Sequence, residues 1–288
     1  VSLVISLVLF LTVSCYADIT GSVRDAMLDG YNYDIAVRYS GLSDDQIADT
    51  NARIAALEPV DSFTAESALY GGARLSSSAL SEYAKDRIAQ PDDIPEGQAE
   101  VSVTLLGLDA ANFEAYAKAV GVSAADYADA RHPRAILINY GQDYEYMEGN
   151  NVKKVAGDVL NLKAGDAMAW FAGSYGQLEG MNTVFTLGAV TRERPMGVVT
   201  GGFSAVTLVV PQQMWDDLLG RLSGPELHEL SDSDIMYRSA YMTTDEDQRL
   251  EAQINELTQR LPAHSGGIIN IKGMARSEQN LSIFLGVF

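Results

Sequence analysis

The chain has 288 residues, 47% of them hydrophobic, with 20 basic and 39 acidic side chains and a formal charge of -19 at pH 7. This suffices for a sizeable core in one large domain or two smaller ones. The acidic balance argues against nucleic acid as a partner and against an electrostatic hold on anionic lipid, since both need clustered Lys and Arg. Cys15 is the single cysteine, so no disulfide and no thiolate metal site can form in the rest of the chain.

Residues 1–17 contain no charge. As a helix they reach roughly 25 Å, just short of a bilayer hydrocarbon core of about 30 Å. A second apolar run, residues 281–288, closes the sequence, which begins at Val1 rather than Met. The expectation is a piece of a larger membrane protein: the end of one transmembrane helix, a large water-exposed part, and the start of another helix. Three other readings of the first run stand beside it. One is a secretory signal peptide cleaved after Cys15-Tyr-Ala17. The others are a lipid-attachment cysteine at Cys15 and a buried core helix. The second apolar run favours the membrane reading.

Between the two runs the chain reads as follows. A short polar helix is expected from Asp18 to Leu28. Tyr33, Ile35, Val37 and Tyr39 alternate with Asp34, Ala36 and Arg38, the period of a half-buried strand. Ser43-Asp-Asp-Gln46 is a capping box opening a helix to Leu57 that faces inward through Ile47, Ile54 and Leu57, and Pro59 stops it. Residues 60–75 read as extended. A helix is expected over 79–88, a loop over 90–97, and a strand over 101–108. Asp109 caps a helix that faces inward through Phe113, Tyr116, Ala117 and Val120. Ser123 starts a shorter helix, and residues 135–140 suit a strand buried on both faces.

From Gly141 to Val210 glycine is frequent and helical periodicity is absent. Strands are expected at 155–162, 167–171, 183–190 and 205–210, with turns at Gly149-Asn-Asn151 and Gly165-Asp166, so this stretch reads as an all-β insert. A helix over 211–222 follows, ended by Gly224-Pro225, and then a strand over 235–242. Thr243-Thr-Asp-Glu246 predicts a second capping box, opening a helix whose apolar stripe is Leu250, Ile254, Leu257 and Leu261. Pro262 and Gly266-Gly267 close it, and 268–271 is the last strand. The fold class expected is α+β. Two strand-helix-strand units pack side by side into a small α/β sandwich near the membrane, with the β-rich insert projecting away.

Chemistry is sparse. His132, His228 and His264 lack metal-ligand partners at helical spacing. Gly202-Phe-Ser-Ala-Val206 lacks the second glycine of a nucleophile elbow, leaving Ser204 structural. No Walker lysine or dinucleotide fingerprint occurs. Asp143, Glu145 and Glu148 do not follow calcium-loop spacing, so a solvated loop is expected. Asp232 and Asp234 flank a strand start and could bind a cation. Tyr31, Tyr33 and Tyr39 suit a membrane interface, and Tyr33 and Tyr39 equally suit a strand's buried face. No catalytic, cofactor or metal residues are assigned.

The order of the elements resembles the first extracytoplasmic domain of MacB/FtsX-type ABC transporter permeases. The residues that carry the likeness are Asn32-Tyr-Asp-Ile-Ala-Val37, Leu106-Gly-Leu-Asp109 with Phe113, Ala135-Ile-Leu-Ile-Asn139, Ala156-Gly-Asp-Val-Leu-Asn161 and Glu278-Gln-Asn-Leu-Ser-Ile-Phe284. The resemblance implies transmembrane helix ends at 1–17 and 276–288. It also implies a porter-like subdomain from 18–105 and 231–275, and a Sabre-like subdomain at 106–230. The expected setting is a multi-pass plasma-membrane protein with residues 18–275 outside the cytoplasm. Its expected partners are a cytoplasmic ABC ATPase, a second permease copy or paralogue, membrane lipid, and an unidentified substrate or outer protein. The domain would be non-catalytic and would pass ATP-driven movement outward. A ligand-sensing receptor ectodomain and a secreted protein are the rival readings.

Overall fold

The computed structural model describes residues 30–88, 94–146, 152–173, 182–199, 205–221, 236–261 and 266–277. Both apolar runs, the helix expected from Asp18 to Leu28, the turn expected at Gly149-Asn-Asn151, Ser204, Glu148, Asp232, Asp234, His228 and His264 lie outside them. Among the described residues no helix is long and apolar enough to cross a membrane.

In chain order the elements are β1 (Ile35–Tyr39), α1 (Asp44–Ala55), β2 (Ser62–Ser76), α2 (Glu82–Lys85), β3 (Gln98–Leu108), α3 (Ala110–Ala119), β4 (Arg134–Ile138), β5 (Gly141–Tyr146), β6 (Val152–Gly157), β7 (Ala167–Ala172), β8 (Asn182–Thr191), β9 (Ala205–Pro211), α4 (Gln212–Leu219), β10 (Met236–Thr243), α5 (Asp247–Thr258) and β11 (Gly266–Asn270). Nine strands form one sheet in the order β11-β1-β10-β2-β3-β9-β4-β8-β7, and β7 also pairs with β2. The last six strands of that order therefore close into a barrel. The protein is mixed α/β, as expected, and its β-rich part is this closed barrel.

The other end of the sheet, β11-β1-β10-β2, is antiparallel throughout. With α1 and α5 as the connections it is a split β-α-β arrangement, the ferredoxin-like order. Its core lies between sheet and helices. Ile35, Val37 and Tyr39 face Ile54, Leu250 and Ile254, because alternate strand residues share a face. The Ser43-Gln46 capping box forms as the sequence predicts.

Strand β2 joins the two parts. Residues 62–69 pair with β10 on one edge, and 71–73 pair with β7 on that same edge. Gly71 and Gly72 mark the division. A Cβ on Gly71 would stand 2.1 Å from the Phe171 carbonyl oxygen and 2.7 Å from the Trp170 indole nitrogen. The barrel closes there because β7 can press against bare backbone. Inside the barrel, Leu69, Val103, Leu105, Leu137, Met168, Trp170, Phe185 and Leu208 form one buried cluster, joined by Trp215 and Leu218 of α4. The Trp170 indole donates to the Val103 carbonyl oxygen, 3.1 Å away.

Several expectations are corrected. Residues 79–88 are a 3-10 turn at Ser77–Ala79 and the four-residue α2, each capped by its own serine. Ser123 opens another 3-10 turn, Ala124–Tyr127. The strand expected over 155–162 is β6, ending at Gly157, and only Leu160 bridges onward, to Leu80. Its partner β5 falls where a solvated loop around Asp143 and Glu145 is expected. The Thr243-Glu246 box does not form: α5 starts at Asp247, and Thr244 Oγ1 instead accepts from the Glu246 amide. Strand β11 stops at Asn270, and residues 271–277 are helical, so Ile271 belongs to the helix.

Candidate functional site

The helices cover one face of the ferredoxin-like sheet, and the other face forms the floor of a cleft of about 400 Å³. Pairing register sets the floor. Arg38, Ser239 and Glu66 lie in one row across β1, β10 and β2. A second row, Tyr70, Thr104, Thr207 and Ile138, runs onto the barrel's outer surface across β2, β3, β9 and β4. Tyr31 and Tyr33 supply one wall and the segment from Arg194 to Val199 another.

That wall is tied down from two sides. Asn32 Nδ2 donates to the Pro195 carbonyl oxygen at 2.8 Å, and Asn32 Oδ1 accepts from the Gly197 amide at 2.9 Å. Arg194 donates to the Gly30 carbonyl oxygen at 2.8 Å. From the barrel side, the Tyr116 hydroxyl donates to the Glu193 carbonyl oxygen at 2.8 Å. Gly197 crosses directly over the floor with φ +100°, where a Cβ would stand 2.5 Å from the Tyr241 ring and 3.0 Å from Glu66 Oε2.

Glu66 is the centre of the cleft. Its side chain is buried, and Oε2 has no hydrogen-bond partner. Burial pushes its pKa from 4.5 up to about 8, opposed by the neighbouring Tyr241 hydroxyl and the Arg38 guanidinium. Burial therefore favours its protonated form at neutral pH, hydrogen-bonded to the Tyr241 hydroxyl while Oε2 has no partner. Burial first, then the nearby Tyr31 and Glu66, raises Tyr33 to about 12. Tyr237 and Tyr241 are raised further for the same main reason, so these phenols stay protonated. Tyr33 packs on Tyr241 with ring centroids 4.7 Å apart, and Tyr70 on Tyr237 at 5.2 Å. The exposed Arg38 lays its guanidinium 4.7 Å from the Tyr237 centroid, and among the described residues no carboxylate lies within ion-pair range of it.

Exposed apolar side chains gather at the mouth beside Arg38. Of the six exposed large hydrophobic side chains among the described residues, four (Tyr31, Tyr70, Val199 and Ile269) line this one cleft. Concentrated exposed apolar surface marks a binding face. The cleft presents a guanidinium, a buried acid and aromatic walls.

The residues singled out in the sequence fall elsewhere or only partly here. His132 is exposed and bonded to Asp129 at 2.9 Å. Asp143 sits in β5. Among the described residues no cluster could hold a metal ion. Tyr39 takes the buried alternative, donating to Asn51 Oδ1 at 2.6 Å. Tyr33 is also buried and belongs to the cleft with Tyr31. Glu66 was missed. Its one signal is that it carries the sole charge between Asp61 and Arg74, inside a strand whose neighbours Ala65 and Ser67 are small.

A second polar cluster holds the other end of β11. Arg276 grips Asp247 with both guanidinium nitrogens. Asn270 donates to Asp247 at 2.9 Å and to Glu251 at 2.7 Å, and Lys272 pairs with Asp34 at 3.1 Å. The chain matches no protein-family model, and no curated protein matches it.

Proposed function

We propose that this chain is the extracytoplasmic part of an ABC transporter permease, a non-catalytic body that turns cytoplasmic ATP hydrolysis into export, extraction or mechanical signalling outside the membrane. The observation that carries the reading is the pairing of β1 with β11, in which Ile35 lies opposite Asn270. The segments that follow the first apolar run and precede the second therefore join neighbouring strands at one end of one sheet. The Ile271 amide donates to the Asp34 carbonyl oxygen at 2.8 Å, tying the two together. Two membrane helices leading from that end would act on the sheet as a pair, and β2 would pass their movement to the barrel. In this reading the ferredoxin-like unit is the porter-like part and the barrel the Sabre-like part. An ATPase, a second permease copy and lipid are the partners.

The test is co-purification of the full-length protein with an ATPase subunit, followed by ATP hydrolysis with and without residues 18–275. Association, with hydrolysis altered by the deletion, is expected. Failure to associate removes the proposal. A ligand-sensing receptor ectodomain is the second reading, favoured by the unpartnered Oε2 of Glu66 in a concave, aromatic cleft. It is distinguished by small-molecule binding in a protein that recruits no ATPase.

A further inference from the structure

We propose that the cleft between β1, β10 and the Arg194–Val199 segment binds a small organic acid, an apolar or aromatic body carrying one carboxylate, with the carboxylate held between Arg38 and Glu66. This stands independently of the permease reading proposed above.

Three observations carry it. Arg38 is an exposed cation with no carboxylate in ion-pair range among the described residues, stacked on Tyr237 so that its fork is held at the cleft mouth. A guanidinium presents paired donors that match a carboxylate. Glu66, two strands away in the same row, offers a buried oxygen with no partner. At a strand spacing of about 4.8 Å the two backbones are roughly 10 Å apart, room for a carboxylate between the side chains. Buried polar groups are rarely left unpaired, so an orphan in a cleft marks where a ligand atom belongs. Finally, the four exposed apolar side chains at the cleft and a volume of about 400 Å³ fit a body the size of one ring with a short chain.

The charge balance selects an acid over an amine. Arg38 already occupies the Tyr237 ring face, where an incoming ammonium would otherwise sit, and it repels one. Protonated, Glu66 contributes a donor and no charge, so it serves an acceptor ligand. The groups that face Glu66 are Arg38 from β1, Tyr237 and Tyr241 from β10, and Tyr33 from the segment before β1. The phenols titrate above Glu66, and Arg38 stays charged. The affinity for an acid is then set by Glu66: constant at low pH, and falling once the pH exceeds about 8, where this carboxyl ionises and opposes the ligand.

The experiment uses the full 288-residue chain and three matched probes, 3-phenylpropionate, 3-phenylpropanol and 3-phenylpropylammonium, titrated by calorimetry at pH 6, 7, 8 and 9. The acid is expected to bind at least tenfold more tightly than the amine at pH 6, and its affinity to fall about tenfold between pH 7 and pH 9. Arg38→Gln, a change on an exposed side chain, is expected to lose tenfold or more for the acid and little for the alcohol, with an unchanged melting temperature. Arg38→Lys recovers part of that loss. Glu66→Gln is expected to retain affinity at pH 6 and to remove the fall at high pH. Tighter binding of the amine, an Arg38→Gln variant with undiminished affinity, or a pH profile that is the same in Glu66→Gln and the parent chain would each overturn the proposal.

Discussion

Glu66 and Asp247 are both buried acids, and opposite surroundings send them opposite ways. Glu66 has lost water without gaining a full partner, so its folded-state pKa of about 8 lies above its ordinary 4.5. The folded protein then binds more protons than the unfolded chain between those values, and stability drains away as pH rises across that window, levelling above about 8. At about 1.4 kcal/mol per pH unit the cost at pH 7 is on the order of 3 kcal/mol. Glu66→Gln is expected to gain that much stability relative to the parent chain between pH 4 and pH 7, measured by urea denaturation at each pH. A difference independent of pH would contradict a protonated Glu66. Asp247 is held at about 2, below its ordinary 3.8, chiefly by its hydrogen bonds from Arg276, against the opposing effect of burial. Its contribution is present above pH 3.8 and is lost as pH falls toward 2. Because Arg276 is partly solvated, Asp247→Asn is expected to cost only about 1 kcal/mol at pH 7, with the difference vanishing near pH 2 in the same denaturation experiment.

At the scale of elements, β2 decides the architecture. A strand of fifteen residues reaches from the ferredoxin-like unit into the barrel, and the glycine pair lets one edge change partners. Gly71→Val places side-chain atoms where the Phe171 carbonyl lies. It is expected to cost more than about 4 kcal/mol or to abolish cooperative melting, as overpacked and strained positions do. Gly267→Ala in β11, where a Cβ would meet nothing within 4 Å, is expected to change stability by less than about 1 kcal/mol, followed by thermal melting. The same scale shows why some elements were legible and others were not. The strands at 35–39 and 101–108 and the helix after Asp109 were readable because alternation or helical spacing survives in each. In α3 the cap is real: Asp109 accepts from the Asn112 amide at 2.9 Å. The second capping box failed because Asp34 already accepts the Thr244 amide at 2.8 Å. That draws Thr244 toward β1 and delays the helix until Asp247. Strand β5 was missed because the acids of its run, Gly141-Gln-Asp-Tyr-Glu-Tyr146, read as a solvated loop, although Tyr144 and Tyr146 alternate with Asp143 and Glu145; pairing with β6 makes it a strand.

Across the whole molecule, Asn32 is the link between the first strand of one part and the wall of the other. Its side chain both donates to and accepts from the 195–197 segment, so the chain ahead of β1 is tied to that segment through this amide. Asn32→Ala is expected to speed hydrogen exchange of the Gly197 amide at least tenfold, while exchange in α1 and α5 stays unchanged. Equal exchange at Gly197 in both proteins would mean that the segment is held by Arg194 and Tyr116 alone. In a permease assembly the same variant is expected to weaken the coupling of ATP hydrolysis to the outer part without preventing association.

The sequence alone determined the two strand-helix-strand units, the β-rich texture between them and the apolar character of both flanking runs. These are local properties, written in periodicity, capping residues and charge within a few positions of one another. Tertiary structure alone decided that strands of the insert close into a barrel with β2 and β3 at Gly71 and Gly72, that β1 and β11 become neighbours, and that Glu66 loses its water beneath Gly197. Each of those depends on a residue far away in the chain (Phe171 and Gly197 among them). No local pattern specifies such a contact, and an acid in a strand reads as solvent-facing until the chain that covers it is in place.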